Sequence, residues 1–197
     1  MKPVMITYRA MTEEELPKLA DIDRSETIRE AFAVESGELT AIAVEWDDPG
    51  WSRAGDGEHT VVHQIDFCRR HLGAGAAMVG AFEADRLAGA GLLTPEIRPG
   101  MAQLAFLYVG APYRRRGVGT ALVRRLFGLA RALGAERVYV SATPSRATVE
   151  FYARVGFALA ADPLPELYAF EPEDIHMVAL LAGSSGAFGS RLEGGAE

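Results

Sequence analysis

The sequence predicts a mixed α/β domain, and three observations carry that expectation. Short β-branched and aromatic runs alternate with segments whose apolar residues recur at three- and four-residue steps. Gly73-Ala74-Gly75 and Gly134 stand where helices would close. The apolar segment Leu104 to Val109 leads through an arginine-rich turn, Tyr113 to Arg116, into a helix opened by Gly117 and Gly119. That last arrangement is a place to hold phosphate. Amide N–H groups at a helix start lack intrahelical partners and carry partial positive charge, and glycine lets a bulky anion approach them.

The elements follow in order. Val4 to Arg9 reads as a strand. Thr12 with Glu15 is a capping-box pattern, so a helix is expected near Glu13, continued by Leu16, Leu19 and Ala20. Ser25 is placed to cap a second short helix carrying Ile28, Ala31 and Phe32. Leu39 to Trp46 reads as a strand, Asp47 to Trp51 as a turn and Ser52 to Gly57 as a polar loop. His59 to Leu72, with Val62, Ile65 and Leu72 apolar, suits a helix. Ala77 to Glu83 and Leu87 to Leu93 form a predicted hairpin around Ala84-Asp85-Arg86, followed by a loop from Thr94 to Gly100. Ala102 to Val109 is the strand before the cradle. The next helix carries Val118, Leu122, Leu126, Leu129, Ala130 and Leu133 on its apolar stripe, with Arg124, Arg125 and Arg131 largely off it. Arg137 to Ala142 is a strand, Arg146 to Val155 a helix, and Gly156-Phe157 opens a further strand. Leu164 to Phe170 reads as the final strand, with Ile175 to Leu181 as an additional strand or capping segment.

A chain of 197 residues fits one domain, read as 1–182 with a Gly-, Ser- and Ala-rich tail over 183–197 that is expected to be flexible. Within it, Asp23 to Gly73 is poor in recognisable chemistry, and 23–75 is read as acceptor-side helices and an insertion. An apolar content of 49% is enough for a real core, and no apolar run approaches the roughly 18 residues that cross a bilayer. Met1 to Val4 lacks the pattern of a signal peptide, and the single Cys68 allows no internal disulfide, so a soluble, cytoplasmic protein is expected.

Charge is divided along the chain. From Gly110 to Gly156 nine arginines face only Glu136 and Glu150, so this segment is +7 on a chain of -7, which leaves -14 elsewhere. From Glu13 to Glu58, 14 acids face four bases. One part looks built for an anion and the other could accept a cation, although solvated helix faces would show the same charges. The negative total, and arginines without interleaved aromatics, argue against a nucleic-acid partner.

Two blocks together carry a family resemblance. Arg114-Arg115-Arg116-Gly117-Val118-Gly119 resembles the Gln/Arg-x-x-Gly-x-Gly/Ala signature of the GNAT acyl-CoA N-acyltransferases. Ser145 to Phe157 resembles that family's second block, in which a polar residue opens a helix that carries a Phe-Tyr pair (here Phe151-Tyr152) and ends at Gly-Phe. The resemblance is good from about Ala77 to Phe157. It implies a central, mostly antiparallel sheet with a splayed parallel pair in the middle and helices on both faces. It further implies acetyl-CoA as co-substrate, and transfer of an acetyl or short acyl group to a primary amine of a small molecule or peptide. Arg114, Arg115, Arg116, Gly117, Val118, Gly119, Thr120 and Ser145 would then bind coenzyme A. Its pantetheine arm would lie along Leu107, Tyr108 and Val109. Tyr152 would protonate the departing thiolate, unless it is simply a core aromatic. Family members often form homodimers. No metal or membrane partner is implied.

One departure stands out. Many family members carry a carboxylate base on the central strand, and Gln103 to Tyr108 has none. Candidates on the acceptor side are therefore Asp23, Glu26 and Glu30, with Trp51 either lining the acceptor site or plugging the core edge. Glu171, Glu173, Asp174 and His176 come next. The missing carboxylate also leaves room for a non-catalytic acyl-CoA-binding or sensing module. Competing phosphate motifs fail, since Thr120 follows Gly119 without a P-loop lysine and Leu122 stands where a dinucleotide fingerprint needs glycine. His59 and His63, four apart, lack a third metal ligand at a convincing spacing. Cys68 reads as a small buried side chain rather than a nucleophile.

Overall fold

The computed structural model describes residues 5–55 and 57–181; the tail over 183–197 lies outside them. The chain begins with strand β1 (Ile6–Ala10) and a 3₁₀ helix, Glu13–Asp21. Glu15 accepts from the Thr12 N–H at 3.3 Å, as the capping pattern predicts. Pro17 sits inside this helix, lacks the N–H that an α-turn back to Glu13 would use, and crowds that carbonyl. Leu16 and Leu19 are nevertheless fully buried.

The second predicted helix is a correction. Glu26–Glu35 is strand β2, paired antiparallel with β3 (Glu38–Asp48) as a two-stranded sheet. The two residues between them, Ser36 and Gly37, have φ of 52° and 82°, the left-handed pair that a tight hairpin requires. The helical spacing of Ile28, Ala31 and Phe32 was a coincidence that this turn overrides. Helix α1 (Val61–Gly73) follows, capped by Thr60, whose side chain accepts from His63 N–H at 3.2 Å. It buries Val61 and Cys68, while Val62 faces outward. Burial pushes the Cys68 thiol up to about 12, in keeping with a packing role. His59 precedes the helix, so helical spacing does not bring it beside His63.

Strands β4 (Ala77–Glu83), β5 (Arg86–Arg98) and β6 (Met101–Val109) form a meander. The predicted loop from Thr94 is instead a continuation of β5, in which pairing slips between Thr94 and Arg98 around Pro95. A short 3₁₀ turn, Ala111–Tyr113, leads to helix α2 (Val118–Ala132). Val118, Leu122, Val123, Leu126 and Ala130 form its buried stripe; Leu129 and Leu133 are exposed. Then come β7 (Arg137–Ala142), α3 (Arg146–Arg154) and β8 (Phe157–Leu159). The predicted strand over Leu164–Phe170 is a second correction: Pro165 stands at the first position of helix α4 (Pro165–Phe170), where its fixed φ and missing N–H suit a helix start. β9 (Ile175–Leu180) ends the fold.

The seven-stranded sheet runs β1-β4-β5-β6-β7-β9-β8 and is antiparallel except at β6–β7. Helices α2 and α3 cover one face, with Leu104, Val118, Leu122, Leu126, Val149 and Tyr152 in one apolar cluster. The first 3₁₀ helix and α1 cover the other, around Leu16, Leu19, Cys68, Leu92 and Phe106. No helix among the described residues is long and apolar enough to cross a membrane.

The feature that positions the site is a bulge in β6. Leu93 pairs with Leu104 and Leu92 with Phe106, so Ala105 is left over. An extra residue inverts the alternation beyond it and bends the strand. Ala102 and Leu104 belong to the α2 side, but after the bulge it is Leu107 and Val109 that do, while Phe106 and Tyr108 face α1. On the far edge, β6 and β7 pair only over Met101–Gln103 with Arg137–Tyr139 and then part. β5 follows the bent strand closely: a Cβ on Gly89 would lie 2.8 Å from Tyr108 O and 3.2 Å from Val109 Cα. Because both obstacles are backbone, Gly89→Ala is expected to cost about 1–3 kcal/mol, measured by denaturant unfolding.

Candidate active site

Beyond Gln103 the C-terminal half of β6 and the end of β7 enclose a gap. Gly110 N–H bonds to Ala88 O at 2.9 Å, so peptide groups at this end of β6 alternate between β5 and the opposite edge. By that alternation Tyr108 turns its backbone to β5, and Leu107 and Val109 turn theirs to the gap. Of the three residues expected to bind a pantetheine arm, two therefore present main-chain groups there. Val109 O already accepts from Arg114 Nε at 3.1 Å.

The glycine-opened helix start is the candidate anion cradle. The first backbone bond of α2 from outside the helix is Ala121 N–H to Gly117 O at 3.0 Å, and Gly117 has no side-chain cap to offer. The six amides from Arg115 to Thr120 meet no acceptor elsewhere in the described chain. Arg115 (φ 58°) and Gly117 (φ 79°) both take left-handed backbone. A side chain on Gly117 would meet nothing within 4 Å, so glycine serves the turn there rather than packing. At Gly119 the reason differs: a Cβ would press to 3.2 Å on the Phe151 ring, so glycine lets α3 close on α2. Arg115 and Arg116 are exposed. Arg114 is not free in the same way, since its guanidinium also donates to Ser25 O at 3.1 Å and lies 3.8 Å from Glu26.

Helix α3 carries Tyr152. Ser145 is buried and caps the helix by accepting from Thr148 N–H at 3.2 Å. Tyr152 is 5% exposed and packs edge-on against Phe151 and Phe157 at 5.3 and 5.2 Å between ring centroids. Burial first, then the neighbouring Tyr108 and Asp174, holds its phenol well above the ordinary tyrosine value. Tyr108 is likewise raised by burial, against the opposing pull of Arg24.

Of the acceptor-side candidates, the three carboxylates are each tied to a partner. Asp23 accepts from Ser25 N–H and Oγ–H at 3.0 and 2.6 Å, and those bonds lower its pKa. Glu26 lies near Arg114, and Glu30 accepts from Arg146 at 3.0 Å, bridging β2 to α3. Trp51 stacks on Phe106 at 5.8 Å and meets the edge of Tyr108 at 4.8 Å while remaining partly exposed. Arg24 covers both Trp51 and Tyr108 while paired with Asp48. Asp174, one residue before β9, is a carboxylate whose charge raises both Tyr152 and Tyr108, in each case after the larger effect of burial. Burial and Glu171 push it up to about 7. A C-terminal acid was legible as a candidate, but nothing local in the sequence separates Asp174 from Glu171 or Glu173.

The model of the Acetyltransferase (GNAT) family matches residues 28–157. No curated protein matches the sequence. Among solved structures, the chain is similar to nourseothricin acetyltransferase, at 19% identity over 89% of this chain and 98% of that one, with a TM-score of 0.67. It is similar to the PaiA N-acetyltransferase of Thermoplasma acidophilum in complex with coenzyme A, at 18% identity over 89% and 99% of the two chains, TM-score 0.58. The N-acetylglutamate synthase of Neisseria gonorrhoeae, complexed with coenzyme A and N-acetyl-glutamate, gives 17% identity over 91% of this chain and 36% of that one, TM-score 0.57. At these identities the likeness is one of fold.

The capping role of Ser145 is directly measurable. Ser145→Ala is expected to lower stability by about 1 kcal/mol in thermal or denaturant unfolding, the usual cost of a lost N-cap.

Proposed function

This chain belongs to the Acetyltransferase (GNAT) family, and on that premise we propose that it moves an acetyl group from acetyl-CoA to a primary amine by direct attack. The observation that carries this reading is the row of amides from Arg115 to Thr120 without intramolecular acceptors among the described residues. Backbone N–H groups and a helix start hold a pyrophosphate well, and the exposed Arg115 and Arg116 add charge-assisted bonds to phosphate. The edge of β6 at Leu107 and Val109 offers a pantetheine arm the pairing that β7 does not take up. A thioester supplies an activated acyl carbon. The chain contributes its orientation, an N–H at Val109 toward the carbonyl oxygen, and a proton for the leaving sulfur from Tyr152.

The raised pKa of Tyr152 keeps the phenol protonated until the thiolate forms. A thiolate leaving into the same dry surroundings is also destabilised, so the proton passes between groups that burial has raised together. For the acceptor, the acids between Glu13 and Glu58 favour a cationic small molecule over a protein terminus. Trp51 and Tyr108 offer it an aromatic wall.

Purified protein given acetyl-CoA and a panel of primary amines should release free thiol. Tyr152→Phe is expected to lower kcat by about 10²-fold while coenzyme A affinity, measured by calorimetry, stays within a few-fold of wild type. Tight coenzyme A binding with no amine yielding thiol above hydrolysis would leave an acyl-CoA-binding module instead. Separately, Arg115→Ala combined with Arg116→Ala should weaken coenzyme A binding by about tenfold or more, the loss of roughly one charge-assisted contact.

A further inference from the structure

Resting on the acetyl-transfer reading, we propose that Asp174 is the general base that takes the proton from the incoming ammonium. Its place in the fold is the first argument. Ile175 pairs with Ala142, the last residue of β7, so Asp174 lies just past the end of the strand that walls the gap. Its charge is felt by both Tyr152, on the donor side, and Tyr108, which faces the acceptor side.

The second argument is that its carboxylate is uncommitted. Asp23, Glu26, Glu30 and Asp48 each have a hydroxyl or arginine partner, whereas the carboxylates of Asp174 and Glu171, three residues before it, have none among the described residues. Among the described residues Asp174 has neither an ion pair nor a side-chain hydrogen bond.

The third is that the fold holds it firmly without neutralising it. Leu164 N–H donates to Tyr139 Oη at 3.1 Å, and Tyr139 Oη lies 2.8 Å from His176 Nδ1. His176 Nε2 lies 3.1 Å from Glu171 O, which also accepts from Asp174 N–H at 3.2 Å. With Nδ1 accepting from the tyrosine hydroxyl, Nε2 carries the proton and donates to Glu171 O. A buried tyrosine–histidine pair thus anchors the turn that carries Asp174. The charged and titratable groups that act on or with the carboxylate are Glu171 on its own turn, Tyr152 from α3 and Tyr108 from β6, the last also covered by Arg24; burial, then Glu171, raises the acid.

The step balances. The carboxylate takes one proton from the ammonium and later gives it to solvent. The amine lone pair forms the C–N bond, the C–S bond breaks, and the thiolate takes the phenolic proton of Tyr152. The proton shed by the new amide nitrogen restores that phenol.

The test compares thiol release by wild type, Asp174→Asn and Asp174→Glu with an accepted amine, from about pH 5.5 to about pH 9. Wild-type kcat/KM is expected to fall as pH drops through about 7, where the carboxylate is lost. Asp174→Asn should lose about 10²-fold and rise steadily toward the pKa of the free amine, about 10, with coenzyme A affinity unchanged. Asp174→Glu should recover part of the rate and the acidic limb. A melting curve keeps the result independent of misfolding. The folded carboxyl titrates above its ordinary value, so the native state holds more protons than the unfolded one between about 4 and about 7, and stability falls across that window. Above it, Asp174→Asn should therefore melt higher than wild type. A folded Asp174→Asn with the wild-type rate and pH profile overturns the assignment while leaving acetyl transfer standing. A wild-type protein that releases no thiol with any amine overturns both.

Discussion

β6 and β7 share three register pairs and then part, and the candidate site is built around that parting. The extra residue at Ala105 re-aims β6 just past the last shared pair, so two strands that begin as neighbours end as the walls of a gap. Every other feature of the site is placed relative to it. The peptide groups of Leu107 and Val109 face it, the amides of Arg115 to Thr120 follow it in sequence, and Asp174 lies just past the end of β7. An intact parallel pair would bury the same edge in ladder bonds and leave nothing for a ligand to complete.

The two sides of the gap use opposite economies of charge. On the donor side, backbone amides are left without acceptors and exposed arginines stand nearby. On the acceptor side, the acids are largely consumed in fastening the β2–β3 hairpin. Glu30 ties β2 to Arg146 of α3, Phe32 N–H bonds to Pro144 O at 2.8 Å, and Arg114 reaches from the cradle to Ser25 O. Partly exposed ion pairs of this kind contribute little stability each. Their evident consequence is geometric, since they hold the hairpin across the start of α3. Several of the acids read from the sequence are thus spent on architecture, while Glu171 and Asp174 are half-buried carboxylates without a side-chain partner among the described residues.

The places where the fold departs from sequence expectation have physical causes. The segment from Ser25 to Phe32 has helical spacing, but its partner strand and the Ser36-Gly37 turn lie beyond it, and pairing with β3 decides its state. The Ser-Gly pair between two β-prone runs was a readable hairpin signal. Likewise Pro165 marks a helix start in a segment whose aromatic residues suggest a strand. Pro17 shifts a correctly placed helix to 3₁₀ geometry. Longer, periodic or glycine-bounded elements such as α2, β7 and α3 were legible because their signals are local.

The same division separates donor from acceptor. The sequence by itself determined the candidate anion cradle and the helix that carries Tyr152, because each is a contiguous stretch whose conformation follows from its own glycines, prolines and caps. Only the tertiary structure decided the acceptor side. Arg24, Trp51, Tyr108, Tyr152 and Asp174 are scattered over the chain, and no spacing rule relates them. Arg24, Trp51 and Tyr108 meet because the bulge at Ala105 turns Tyr108 toward α1, and the pairing of β9 with β7 sets Asp174 just past the end of β7. Whether a carboxylate is spent on an arginine or left free is a property of that assembly, and so it could not be read from the residues in line.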